Sequence, residues 1–334
     1  MIFKGLELIC PHCRGDLAQA SEKGIRCRAC NRSFRITLGI PDLRVAADPY
    51  IGVEEEYAKV ERLAERFDDL DFPAYLEFYY SITDVVRPEL ARAYIRSLLA
   101  AGPRTRDWLA SWEQVARREA PGRALLEVGC GTAPLLVAAE KYPTRVGVDI
   151  ALRWLVIGKK RLTDAGLDIP LICACAEALP FGPARFDTVV ADSTIEHLAD
   201  QPRGLAEMHS VMQPGARIFL STPNRYCPGP DPQTKMWGGT YLPEKWMAAI
   251  VLRQGGRIPK RHLLTGGELH SLLAGAGFRD IEIYLPGVPA DQRAHFSGAM
   301  RAAMAVYDTV RRVPLLRSVM KLVGPLFHAV ARRS

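Results

Sequence analysis

Three groups of residues in this chain have types and spacings suited to chemistry. The first is a quartet of thiols, Cys10, Cys13, Cys27 and Cys30, forming two CxxC pairs separated by thirteen residues. Two such knuckles can supply four thiolates to one tetrahedral zinc ion. Disulfides and a thioredoxin-like redox pair are the alternatives, but a cytoplasmic chain rarely keeps disulfides and a redox pair needs only one CxxC. The second group is Glu127, Gly129 and Gly131, within ALLEVGCGTAP at residues 124–134. The two glycines permit positive φ and close approach of backbone to a ligand. A dinucleotide loop needs a third small residue where this chain has Pro134, so pyrophosphate is disfavoured, and Glu127 suits a cationic amino-acid ligand better than a phosphate. Asp149, eighteen residues after Gly131, ends a second apolar run where an acid can accept from both ribose hydroxyls. The third group is Asp192, Glu196 and His197. An imidazole titrates near neutral pH and can take a proton from a hydroxyl, although Glu and His in such a place also serve to cap and pack a following helix.

The elements that must position these groups follow from periodicity. Short apolar runs at 124–129, 145–149, 171–174, 187–191 and 216–221 read as buried strands, with helix-compatible stretches between them. That alternation predicts an α/β fold: a parallel sheet with helices on both faces, its ligand crevice outside the carboxyl ends of the strands. Residues 53–119 read as helices, with apolar Tyr57, Val60, Leu63, Ala64 and Phe67 at helical spacing and Pro88 opening a second run. The aromatic cluster Phe72, Tyr75, Phe78, Tyr79 and Tyr80 fits a helix core, with a substrate pocket as the other reading.

The motifs ExGxG at Glu127, VGVDI ending at Ile150, AEALPF from Ala176, FDTVVADSTIEHL from Phe186 and QPGARIFLSTPN from Gln213 occur in this order. Together they resemble the class I S-adenosylmethionine (SAM)-dependent methyltransferases, in the branch of ubiquinone and menaquinone biosynthesis enzymes. The resemblance implies a Rossmann-like sheet with Glu127, Gly129, Cys130 and Gly131 around the methionine part of SAM. It also implies Asp149 and Ile150 at the ribose, Cys175, Ala176 and Glu177 beside the adenine, Asp192 where donor and acceptor meet, and helices before the first strand forming a lid. Cys175 stands where relatives usually have an aspartate, and a thiol is a weak acceptor for the adenine amino group. His197 is the candidate base and Asp192 the candidate positioning group. Because Ser193 stands at the partner position, a catalytic metal is not expected. The first 45 residues resemble the zinc domains prefixed to some methyltransferases and the ribbon of the tRNA-methyltransferase activator.

Composition sets the remaining bounds. The chain has 334 residues, 48% hydrophobic and 24% charged, with a formal net charge of +7. These values suit a soluble globular protein and allow nucleic acid or an anionic membrane as partner without demanding either. No secretory signal and no apolar run of about 18 residues is present, so a cytoplasmic location is expected, with membrane association as an option. Four units are expected: a zinc ribbon at 1–45, a helical lid at 46–120, the SAM-binding domain at 121–290 and basic amphipathic helices at 291–334. In the last unit apolar residues interleave with Arg301, Arg311, Arg312, Arg317, Lys321, Arg332 and Arg333, broken at Pro314 and Pro325, a pattern that suits either peripheral membrane contact or a final helix packed across the sheet. Arg14, Lys23, Arg26, Arg28, Arg32, Arg35 and Arg44 offer a ribbon surface to RNA. Tyr226, Trp237, Tyr241 and Trp246, in an insertion after Asn224, offer either an apolar acceptor pocket or a flap packed on itself. The expected function is methyl transfer from SAM to a small, apolar or lipid-like acceptor, with structural zinc. The rival readings are an rRNA or tRNA nucleobase methyltransferase and a non-catalytic partner protein that docks through its ribbon.

Overall fold

The computed structural model describes residues 1–83, 86–116, 122–229, 238, 241–253, 260–287, 298–311, 313 and 320–334. The expected domain boundaries at 120–121 and 290–291, and Trp237, Arg312, Pro314 and Arg317, lie outside these. The chain opens with a hairpin of β1 (Ile2–Phe3) and β2 (Leu6–Glu7), then a four-stranded antiparallel sheet of β3 (Leu17–Ser21), β4 (Gly24–Cys27), β5 (Ser33–Thr37) and β6 (Ile40–Pro41). Helices α1 (Val53–Glu65), α2 (Phe72–Ser81), α3 (Pro88–Leu99) and α4 (Ala101–Val115) follow. Asp71 caps α2 by accepting from the Ala74 amide at 2.9 Å, and Pro88 opens α3 at a position where no amide proton is needed.

The second half alternates strand and helix: β7 (Ala124–Val128), α5 (Pro134–Ala138), β8 (Thr144–Asp149), α6 (Leu152–Asp164), β9 (Leu171–Cys173), β10 (Phe186–Asp192), α7 (Gln201–Val211) and β11 (Met212–Pro223). After α8 (Glu244–Arg253) and α9 (Gly266–Gly275) come β12 (Phe278–Tyr284), α10 (Gly298–Val310) and β13 (Leu326–Arg333). Among the described residues seven strands form one sheet in the order β12-β13-β11-β10-β7-β8-β9. β13 is antiparallel to both its neighbours and all other pairs are parallel, so β13 alone is reversed and the sheet is mixed. Leu126, Val128, Val146 and Val148 bury one face, under α7, α9 and the N-terminal sheet, while Leu125, Val190, Phe219 and Val330 bury the other, under α1, α2, α4 and α6. With both faces covered, the strands are almost continuously apolar.

β13 corrects the expectation of amphipathic helices over 291–334. α10 ends at Val310, residues 320–323 are again helical, and Leu326–Arg333 is a strand buried between two others. Phe327 to Ala331 are all buried, because a central strand of a covered sheet hides both its faces, and such a run cannot be told from a helix by periodicity. Among the described residues no helix is long and apolar enough to cross a membrane.

The N-terminal sheet is not a separate bead. Next to β6, Asp42 pairs in parallel with Cys173 of β9, and the Leu43 amide donates to the Cys173 carbonyl at 2.7 Å, so the small sheet continues the large one at its β9 edge. Leu8, Leu17, Ile25, Phe34 and Leu43 share one core with Leu179 and Phe181. Arg14 donates to the carbonyls of Leu179 at 2.8 Å and Phe181 at 3.0 Å, Arg35 lies over the Tyr57 ring at 4.8 Å, and the Arg44 side chain is buried against Asp42. Three of the seven cations that would face RNA are therefore engaged within the protein.

Candidate active site

The glycine turn forms as its sequence requires. Gly129 (φ +78°) and Gly131 (φ +48°) are left-handed, and the amides of Gly129 and Cys130 both donate to the Val148 carbonyl, at 2.7 and 3.0 Å. An added Cβ on Gly129 would lie 2.1 Å from Thr194 Oγ1, whereas one on Gly131 would meet open space. Asp149 ties the turn to the next loop: its Oδ2 accepts from the Gly131 amide and its Oδ1 from the Ala151 amide, each at 2.8 Å. Burial raises its pKa, and these two amides oppose the rise. Glu127 is buried, and its Oε2 has no hydrogen-bond partner. Burial pushes its carboxyl well above the usual range, and the neighbouring Asp192 and Asp149 push it further. The field of Arg161 opposes this, but that guanidinium donates to the carbonyls of Thr132 at 2.8 Å and Leu98 at 2.9 Å. A buried acid oxygen without a donor is a place for a ligand's cation or N–H.

Gly129, Asp149, Ile150, Cys175, Ala176, Glu177 and His197 line one cavity of about 560 Å³; Glu127, Cys130, Gly131 and Asp192 are outside its lining. Burial raises the Cys130 thiol, while Asp192 accepts from the Ser221 hydroxyl. The Glu177 carboxylate is engaged by the amides of Ala199 at 3.0 Å and Asp200 at 3.4 Å, and the Cys175 thiol points to the Ala46 carbonyl at 3.6 Å.

The wall opposite the glycine turn is residues 45–50, with no contribution from α1–α4. The helices before the first strand, expected to form the lid, line no part of this cavity. Those helices pack on the sheet and on α6 instead: Tyr75 is fully buried with its hydroxyl on the Leu63 carbonyl at 2.7 Å, and the aromatic cluster is core. The 45–50 segment is held at its root by Arg44, which donates to Asp42 at 2.8 and 2.6 Å, to Glu56, and to the Ile150 carbonyl at 3.1 Å. Arg153 holds its middle through Asp48 and Glu56. Sequence reading missed this strap; its signal was Asp42 and Arg44 two residues apart, on one side of an extended segment. Of the described insertion aromatics, Tyr226 and Tyr241 stack at 6.1 Å, and Tyr226, Tyr241 and Trp246 are exposed and do not line the cavity.

His197 reaches the cavity from the turn after β10. Its Nδ1 is 3.1 Å from the hydroxyl of Tyr50, which donates to the Lys260 carbonyl at 2.7 Å. Burial lowers the imidazole pKa, so the ring is neutral at pH 7. Glu196 beside it turns into the protein, where its Oε2 accepts from Thr222 Oγ1 at 3.0 Å and burial raises its pKa to about 7. In the unfolded chain this carboxyl ionises from about 4.5. The folded state therefore holds the proton more tightly, and the contribution to stability falls as pH rises from about 4.5 to 7. Glu196→Gln is expected to remove that fall and to stabilise the protein at pH 8 by roughly 3 kcal/mol. Denaturant titrations of both proteins at pH 5 and pH 8 measure it, and parallel pH profiles would contradict the assignment.

In the N-terminal sheet the Sγ atoms of Cys10, Cys13, Cys27 and Cys30 all lie within 4.8 Å of one another. The Cys30 amide donates to Cys27 Sγ at 3.5 Å and helps bring that thiol down to about 6. Four converging thiols, one already biased toward thiolate, form a donor set that fits a tetrahedral soft or borderline ion.

Residues 126–220 match a family model described as a methyltransferase domain. The chain is 36% identical over 104 residues to the ubiquinone/menaquinone biosynthesis C-methyltransferase UbiE of Bordetella avium, covering 30% of this chain and 41% of that protein. It is 34% identical over 171 residues to the ubiquinone biosynthesis O-methyltransferase of Idiomarina loihiensis, covering 48% and 64%. The chain thus spans less than two thirds of the length of either relative. Among solved structures, phosphoethanolamine N-methyltransferase 2 of Haemonchus contortus aligns with a TM-score of 0.45 at 16% identity, over 68% of this chain and 52% of that one.

Proposed function

From a chain that carries a methyltransferase domain on a Rossmann-like sheet, we propose that it transfers a methyl group from SAM to a small, apolar, quinone-like acceptor. The observation that carries this reading is the orphaned Oε2 of buried Glu127 behind a glycine turn whose neighbouring cavity also contains Asp149. In this reading Glu127 receives the ammonium of the methionine moiety and Asp149 the ribose hydroxyls, with Gly129, Cys130 and Gly131 giving the backbone approach. Ile150, Cys175, Ala176 and Glu177 surround the adenine. When bound, SAM supplies an already activated sulfonium methyl. The protein's share is orientation and exclusion of water. Neutral His197, held by Tyr50, is the candidate acceptor for a hydroxyl proton, and Asp192 the candidate positioning group. The quinone-like acceptor rests on the printed functions of the relatives. Calorimetric titration of the full chain with SAM, followed by mass spectrometry of quinol mixtures incubated with both, tests the proposal; no SAM binding would end it.

The cysteine cluster is read as a structural zinc site. Elemental analysis is expected to give about one zinc per chain, and Cys27→Ser to release it. Metal-free protein that unfolds at the same temperature as the metal-loaded form would remove the reading.

A further inference from the structure

Buried polar atoms normally find partners, and those that do not call for an explanation. Among the described residues nine buried side-chain nitrogen or oxygen atoms lack one, and five of them belong to four side chains that meet: Arg104 Nε, Trp108 Nε1, Trp112 Nε1, and both ring nitrogens of His328. His328 lies in β13 and is fully buried. Its ring sits 5.5 Å from Trp108, 5.1 Å from Trp112 and 5.5 Å from Tyr284, and the Arg104 guanidinium lies 5.6 Å from the Trp108 ring. The box is thus walled by three aromatic rings and contains two unspent indole donors, an unspent imidazole and a cation.

Its location bears on the reaction. Tyr284, His328, Ser221 and Asp192 are register partners across β12, β13, β11 and β10, so they form a row on one sheet face. Ser221 donates its hydroxyl to Asp192. The row therefore runs from the strand end where Asp192 stands to the aromatic box, two strands or about 10 Å away. α4 covers the box with Trp108 and Trp112. Before it, α3 has one fully buried residue, Ala91, with Ile95 and Leu98 partly buried against the core and Tyr94 stacked on Tyr80 at 6.1 Å.

We propose that His328, Trp108 and Trp112 form the binding site for the acceptor's ring, and that this ring is a flat, uncharged aromatic carrying oxygen substituents, a quinone or phenol. The proposal rests on the methyltransferase reading and gives the acceptor a place in it. Flat aromatic walls recognise a π-face, and indole N–H groups donate to oxygen. The imidazole, which burial keeps neutral, offers one donor and one acceptor, enough to match a carbonyl or a hydroxyl. A cationic amine ring would meet the Arg104 guanidinium beside Trp108. The box is closed in this conformation, and α3 with α4 is the cover that must shift to admit a ring.

The unspent atoms also dictate the test. A site that keeps polar groups unpaired for a ligand is less stable empty than an apolar copy of the same shape. Full-length protein, loaded with S-adenosylhomocysteine, is titrated with duroquinone, whose fully substituted ring does not add thiols, and with its quinol. His328→Phe is expected to raise the thermal midpoint, leave S-adenosylhomocysteine affinity unchanged and weaken duroquinone or quinol binding by about tenfold or more. Trp108→Phe, which removes one N–H from a half-buried ring, is expected to weaken the probe in the same direction, and it decides the matter should His328→Phe fail to fold. Probe affinity unchanged in the variants, or no probe binding to the wild type, overturns the proposal while S-adenosylhomocysteine still binds. If the wild type does not bind S-adenosylhomocysteine, the methyltransferase reading falls and the proposal falls with it.

Discussion

A chain ending at Pro325 is expected not to fold. The lost residues are β13, paired with β11 over seven register positions and with β12 on its other side. Phe327, Ala329, Val330 and Ala331 are buried at 0–3% exposure. A buried Phe or Val is worth about 1.5–3 kcal/mol, and the removal also leaves two strands with unpaired backbone groups inside the sheet. Together these losses match or exceed the roughly 5–15 kcal/mol that holds a typical protein together. Circular dichroism melting of the truncated chain should show no cooperative transition, and a transition near that of the full chain would refute the argument. It follows that truncation cannot ask whether the basic tail touches membranes, since it removes the middle of the fold.

Gly129→Val carries the next largest effect. The new Cβ would overlap Thr194, whose hydroxyl sits 3.1 Å from the Val128 carbonyl and 3.0 Å from that of Asp192. It would also force a β-branched residue to a φ near +78°, where such side chains are strained. Backbone strain alone costs about 1–3 kcal/mol, and displacing Thr194 adds to it. The variant is expected to lose SAM binding below detection by calorimetry and to melt well below the wild type. The clash that the structure shows is with the chain's own turn after β10. Wild-type affinity and melting in the variant would show that the turn has room to move.

How much of this was readable from residues alone differs between the two halves of the chain. The strands from Ala124 to Ser221 were legible because each is a short apolar run ending in a glycine, an acid or a turn, and the structure places each within a few residues of its reading. The convergence of four thiols was legible from spacing. The reversed strand was not, since LFHAVARR is buried on both faces and carries no alternation to distinguish strand from helix. Nor was the strap at 45–50, because its role depends on a pairing between Asp42 and Cys173, far apart in sequence. The aromatic box was hidden for a related reason: His328, Trp108 and Trp112 meet only once β13 has entered the sheet.

The pairing of Asp42 and Leu43 with Cys173 has a consequence for behaviour at high concentration. β9 is the last strand of the seven-stranded sheet, and an uncovered last strand is a template on which other chains can add. Here the N-terminal sheet covers part of that edge, and its hold on the fold includes the core around Cys10 and Cys27. Anything that loosens the cysteine cluster therefore weakens the cover over that edge. The symptom would be self-association that rises with protein concentration and precedes unfolding, visible by light scattering before any change in circular dichroism.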